Sequence, residues 1–134
     1  MIRHTQRHTD IGGDVPGDCW RACIAGLLDL EMDEVPHFLA LHGEDDMGWY
    51  VATQAFVAER RPGEQLLYYQ GNPWPIYQEP EMAPQYVILD GPSPRGDWYH
   101  AVIGSALTGE IIWDPHPSRA GLVSVEGAHA LVTL

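Results

Sequence analysis

Gly17-Asp18-Cys19-Trp20-Arg21-Ala22-Cys23-Ile24-Ala25-Gly26-Leu27-Leu28 passes from a loop into a helix. Trp20, Cys23, Ile24, Leu27 and Leu28 recur at helical spacing and form one apolar face of a helix expected over 18–30. Asp18 is its expected N-cap. Cys19 then falls at or beside the first helical residue. A thiol there feels the positive end of the helix dipole and nearby free backbone N–H groups, which favour the nucleophilic thiolate. Cys23, deeper in the helix with Ile24 and Leu27, reads as core.

Upstream, residues 1–17 read as irregular: a polar start, then Gly12-Gly13 and Val15-Pro16-Gly17. Downstream, Asp33 is a plausible cap for a short second helix, Asp33-Glu34-Val35-Pro36-His37-Phe38-Leu39-Ala40, with Pro36 tolerated in its first turn. His37 and His42 fall at helix ends. After a loop at 42–48, a third helix runs from about Trp49 to Arg60 and stops before Pro62-Gly63. The pattern then changes to short strands at 65–69, 85–89, 98–104, 110–113 and 122–125, with 128–134 adding a further short element. A Pro-rich loop spans 72–84 and a turn-rich connection 90–97, while Thr108-Gly109 reads as a hairpin turn. Helices first and an antiparallel sheet after them make a single α+β domain over 1–134.

At 134 residues, 45% of them apolar, the chain is long enough to bury a core. Seven basic against 19 acidic residues give a net charge of −12. That disfavours nucleic acid, whose binding rests on Lys and Arg neutralising phosphates, and it disfavours anionic membrane surfaces. A basic substrate segment is compatible with it. The polar N-terminus carries no secretory signal and no apolar run reaches the length of a membrane span. Cys19 and Cys23, four residues apart on one helix, are poorly placed for a disulfide. A soluble cytoplasmic protein with reduced thiols is expected.

Nucleophilic catalysis by cysteine needs a base, and the base needs an orienting group. His100 lies in the strand Trp98-Tyr99-His100-Ala101-Val102-Ile103, where the pleat fixes its direction. Asp114 follows the partner strand of a tight hairpin, in Ile111-Ile112-Trp113-Asp114-Pro115, where it can bond the imidazole and fix its tautomer. Each alone has an ordinary structural reading: core thiol, strand histidine, turn former. The order Cys, His, Asp across helix, strand and next strand points to a Cys-His-Asp hydrolase. His116, in the loop after Asp114, lines such a site or touches substrate. Trp74 and Tyr77, with the loop 91–97, are candidate walls of a substrate cleft, and Trp20 beside the nucleophile is another candidate contact. His4 and His8 would meet a metal only on a helix, which their surroundings disfavour, and no cysteine-pair spacing suggests a zinc site. No metal and no cofactor are expected.

These segments resemble the papain-like cysteine peptidases, above all the small branch containing the bacteriocin-processing, double-glycine-leader peptidases. The matching residues are Gly17-Asp18-Cys19-x-x-Ala22-Cys23, His100-Ala101-Val102 and Trp113-Asp114-Pro115. The chain is also similar to short proteins of phages and bacteria, through Asp33–Phe38 and the stretch from Gly91 to Ser118. The resemblance implies N-terminal helices packed on a C-terminal antiparallel sheet. It makes Cys19 the nucleophile, His100 its base and later acid, and Asp114 the orienter, with the Cys19 N–H in the oxyanion hole. Such enzymes usually place a Gln shortly before the cysteine. Six residues before Cys19 stands Gly13, and Gln6, the only upstream Gln, serves if residues 7–17 loop out. The bacteriocin-processing enzymes are fused to transporters, and no such segment accompanies this chain, so their substrate is not carried over.

The expected function is therefore a thiol hydrolase acting on a peptide or protein substrate at an amide, isopeptide or thioester bond. Two other classes compete: a catalytically inactive binding module on the same scaffold, such as a phage-borne inhibitor of a host protein, and a structural virion component.

Overall fold

A computed structural model describes residues 1–9, 15–76 and 85–133. Helix α1 (Cys19–Leu27) is followed by a 3₁₀ turn at Met32–Glu34, then α2 (Phe38–His42) and α3 (Gly48–Arg60). Five strands follow: β1 (Glu64–Gln70), β2 (Tyr86–Pro92), β3 (Tyr99–Ser105), β4 (Ile111–Trp113) and β5 (Gly127–Thr133). They form one antiparallel sheet in the order β1-β5-β2-β3-β4. The expected α+β arrangement is present.

Three local expectations change. The helix expected over 33–40 is two elements. Glu31 begins the 3₁₀ turn, its N–H donating to Glu34 Oε2 at 2.9 Å, and α2 starts only after Pro36, with His37 at its N-cap. Residues 122–125 form no strand; the further element expected at 128–134 is β5, which inserts between β1 and β2. Asp18 flanks α1 without capping it, because its carboxylate has other partners.

The sheet is covered on both faces. On one, Ile24, Cys23 and Trp20 of α1, Phe38 of α2 and Val57 of α3 bury against Leu66, Ile88, Ala101 and Ile103. On the other, Val87, Leu89, Val102, Ala128 and Ala130 bury with Ile76 and Ala106. The alternation along β2, with Val87 and Leu89 on one side and Ile88 on the other, is the period-two pleat of a strand with no solvent face. Burying a side chain the size of Ile24 or Ile88 contributes about 1.5–3 kcal/mol, so the apolar run at 87–89 anchors the sheet's centre.

The first nine residues have no helix or strand but are tied along the domain. Ile2 N–H donates to Gly26 O at 3.0 Å, and any side chain at Gly26 would collide with the Ile2 carbonyl, so α1 needs glycine at this crossing. The Trp113 indole donates to His4 O at 2.7 Å and Gln6 N–H to Pro115 O at 2.9 Å. The segment thus runs from α1 to the end of β4. No helix is long and apolar enough to cross a membrane among the described residues.

Candidate active site

The Asp18 carboxylate is wholly buried, and its Oδ1 accepts the backbone N–H groups of both Arg7 and His8 at 2.8 Å. In return Asp18 N–H donates to His8 O at 3.1 Å. Asp18 therefore clips the N-terminal segment to the start of α1 instead of capping the helix. Cys19 is the first residue of α1, half-buried. The leading N–H groups of a helix have no acceptor within it, so the Cys19 amide is available at this terminus.

The clip sets Gln6 into the same wall as Cys19, lining one cavity of about 710 Å³. Gln6 is buried; its Nε2 donates to His8 O at 2.8 Å, leaving a second N–H, and its Oε1 has no partner among the described residues. Gly13, which stands where such enzymes usually place the glutamine, lies outside the described residues.

β3 and β4 supply the other side. The His100 ring, only 3% exposed, lines the cavity, and its Nε2 lies 2.6 Å from Asp114 Oδ1. That leaves Nδ1 for the cysteine. Burial opposes the imidazolium, but the hydrogen bond to Asp114 and then the hydrogen bond and charge of Cys19 outweigh it and raise the ring's pKa to about 9. Asp114 is fixed by more than the imidazole. Oδ1 also accepts His116 N–H at 2.9 Å and Oδ2 accepts Gly121 N–H at 2.7 Å. Burial pushes the carboxyl's pKa up, yet these bonds, led by the one to His100, bring it below the ordinary carboxylate range. The loop from Pro115 to Gly121 is wrapped round Asp114 by these bonds and by Arg119 Nη1 donating to Asp114 O at 2.9 Å.

The structure thus brings Cys19, His100, Gln6, Trp20 and His116 to one cavity, with Asp114 behind His100. His116 stands edge-on to His100 at 6.2 Å between ring centres, and its Nδ1 accepts Ser118 N–H at 3.0 Å. Burial, followed by the charge of Arg95, pushes its pKa down, so it faces the cavity as a neutral ring. Trp20 is buried, its indole donating to Thr53 Oγ1 at 3.0 Å. Trp74 is not at the cavity. It packs with the apolar cluster on the opposite sheet face and over Gly109, where a side chain would strike the indole. Tyr77 lies outside the described residues. The loop after β2 does reach the cavity through Arg95 and Asp97. Cys23 is fully buried, and burial, then the charges of Cys19 and Asp114, hold its thiol well above the usual range. His4 takes no part; its Nε2 lies 2.7 Å from Leu30 O.

Sequence reasoning missed one feature of the cavity. His129 of β5 and Asp90 of β2 face it as a second bonded pair, Nε2 to Oδ2 at 2.8 Å. The signal was present: His129 is a single polar position between two buried alanines in the last strand.

Comparison with protein-family models, with curated proteins and with solved structures finds no match.

Proposed function

We propose that the chain is a small papain-like cysteine-dependent hydrolase that cleaves an amide, isopeptide or thioester bond of a peptide or protein substrate. The observation that carries this reading is His100: one ring nitrogen is bonded to a buried carboxylate, and the ring is raised to about 9 in part by Cys19. An imidazolium held charged at neutral pH beside a thiol at a helix start is the arrangement that makes a cysteine nucleophilic.

For an amide substrate, the Cys19 sulfur attacks the carbonyl carbon, forming an S–C bond while the carbonyl π electrons move onto oxygen. The Cys19 N–H and the free N–H of Gln6 Nε2 donate to that oxyanion. His100 gives its proton to the leaving nitrogen as the C–N bond breaks, and an amine departs from a thioester on Cys19. Neutral His100 then takes a proton from water, whose oxygen attacks the thioester. Collapse expels the sulfur, leaves a carboxylic acid and restores the starting pair. Asp114 holds the ring's tautomer and direction throughout. No cofactor enters this cycle. Two free cysteines suit a reducing compartment such as the cytoplasm.

The test is intact-mass detection of a covalent adduct with peptide-derived acyl electrophiles. An adduct on Cys19, lost in Cys19→Ala and slowed in His100→Ala, supports the hydrolase. Absence of an adduct with every electrophile, in a protein that retains its fold, favours the inactive binding module.

A further inference from the structure

His116 stands between two prolines, in Asp114-Pro115-His116-Pro117-Ser118, and the proline after it narrows its backbone choices. That backbone is pinned on both sides. Its N–H donates to Asp114 Oδ1 at 2.9 Å, the oxygen that also holds His100 Nε2 at 2.6 Å. Its carbonyl accepts Arg119 N–H and Arg119 Nη1, both at 2.9 Å. One carboxylate oxygen therefore sets two imidazoles against each other, edge-on at 6.2 Å between ring centres, and both line the cavity that holds Cys19. The charges of Arg95 and Asp97 on this wall offset one another, so what distinguishes it is a placed ring and not a field.

Ser118 fixes which nitrogen of His116 carries the hydrogen. The Ser118 backbone N–H donates to His116 Nδ1 at 3.0 Å. A backbone N–H can only donate, so Nδ1 is the bare nitrogen and the hydrogen of the neutral ring is on Nε2. Ser118 Oγ, 2.8 Å from Nδ1, accepts Ala120 N–H at 3.2 Å and Arg95 Nη1 at 3.4 Å, which leaves its own hydrogen for Nδ1. A protonated ring would set Nδ1–H against the Ser118 N–H, and burial, then the charge of Arg95, disfavour it as well. With one nitrogen turned to Ser118, the ring presents the other. Nε2–H has no acceptor among the described residues, on a ring that is partly exposed and lines the cavity.

In the proposed cycle His100 gives its proton to the leaving nitrogen, so the leaving group departs on the His100 side of Cys19, where His116 stands. In a peptide that nitrogen belongs to an α-amino acid, whose own carbonyl oxygen lies roughly 3 Å away along N–Cα–C=O. An acceptor so close to the nitrogen that His100 serves is within reach of an N–H on the neighbouring ring. A lysine leaving from an isopeptide has methylenes at that place, a primary amide releases ammonia and a thioester releases a thiol. None of these supplies the acceptor as part of its bond. Resting on the hydrolase reading for the side on which the leaving group departs, we infer that His116 Nε2–H binds the carbonyl oxygen of the residue whose α-amine leaves, making the site selective for peptide bonds between α-amino acids.

The test uses the full chain carrying Cys19→Ala, so that no covalent step takes part. Two neutral compounds are titrated: N-acetylglycinamide, an amide followed by the carbonyl, and N-ethylacetamide, the same amide on an alkyl group. Long-range proton–nitrogen NMR correlations of the histidine rings report the tautomer of His116 and its response to each compound. Nδ1 is expected bare and Nε2 protonated, and N-acetylglycinamide is expected to shift the His116 nitrogens saturably and to bind about fivefold more tightly, the worth of one hydrogen bond. His116→Phe should make the two compounds equal. Its backbone N–H remains for Asp114, and the tautomer and the comparison of compounds need no variant of His116. A hydrogen on Nδ1 in place of Nε2, equal affinity for the two compounds, a preference that survives His116→Phe, or no binding of either would overturn the assignment. Since no bond is cleaved, the result is separate from the hydrolase reading. A chain that never forms an acyl adduct can still prefer N-acetylglycinamide, and one that forms the adduct on Cys19 can still fail to distinguish the two.

Discussion

His100 Nε2 and Asp114 Oδ1 lie 2.6 Å apart with both side chains buried, and each draws its properties from the other. The carboxylate is held by two backbone N–H groups besides the imidazole, so it is a rigid acceptor that fixes which His100 nitrogen faces the cavity.

Replacing that carboxylate separates its two duties. Asp114→Ala leaves the His116 and Gly121 N–H groups without their acceptor and should lower stability by about 1–3 kcal/mol for each N–H that stays buried, measured by urea unfolding. Activity should fall less than in Cys19→Ala, because orientation is lost and the proposed nucleophile is kept. Equal, negligible effects of both substitutions on turnover would count against catalysis.

The pH dependence follows from the direction of the His100 shift. Its folded pKa, about 9, exceeds the ordinary 6.5, so the stabilisation it brings is fully present below about pH 6.5 and is lost as pH rises through 9. That gap corresponds to on the order of 3 kcal/mol. Urea unfolding of wild type and His100→Gln at pH 6 and pH 9.5 should show the difference between them shrinking at the higher pH. Asp114, shifted the other way, contributes stability above the ordinary carboxylate pKa that is lost as pH falls through its depressed value. Turnover should decline on the alkaline side near pH 9, where the imidazolium disappears.

Gln6 is positioned by its neighbours' contacts. On the proposed mechanism Gln6→Ala removes one oxyanion donor, and it should then reduce kcat by about 10²–10³-fold with little change in KM. A change confined to KM would place Gln6 in substrate binding instead.

Asp18 acts through that segment. Asp18→Ala removes the shared acceptor of the Arg7 and His8 amides and so frees the segment that carries Gln6. It should reproduce the kcat loss of Gln6→Ala, and the double variant should be little worse than either single one, as expected for groups acting through one contact. Additive losses would show that Asp18 works by another route.

Much of the site was legible because its residues sit where local rules are strong. The apolar period of α1 placed Cys19 at a helix start, and the hairpin between β3 and β4 brings the His100 strand and the Asp114 loop together over a short stretch of chain. What the chain did not announce depends on distant partners. An aspartate before a helix reads as a cap, and only the returning N-terminal segment, some ten residues upstream, converts Asp18 into a clip. The insertion of β5 between β1 and β2 is a choice among long-range pairings that no local pattern specifies, and it is that insertion which sets His129 beside Asp90. Trp74 was expected at the cleft because it lies in a loop rich in proline; the apolar cluster on the far sheet face claims it instead.

The pairing of Cys19 with His100 is read by the rate of Cys19 alkylation by iodoacetamide at neutral pH, resolved from Cys23 by mass spectrometry, in wild type and His100→Ala. Cys19 should label fast, about tenfold or more slowly in His100→Ala, with buried Cys23 unlabelled in both. Labelling of Cys19 at the same rate with and without His100 would contradict it.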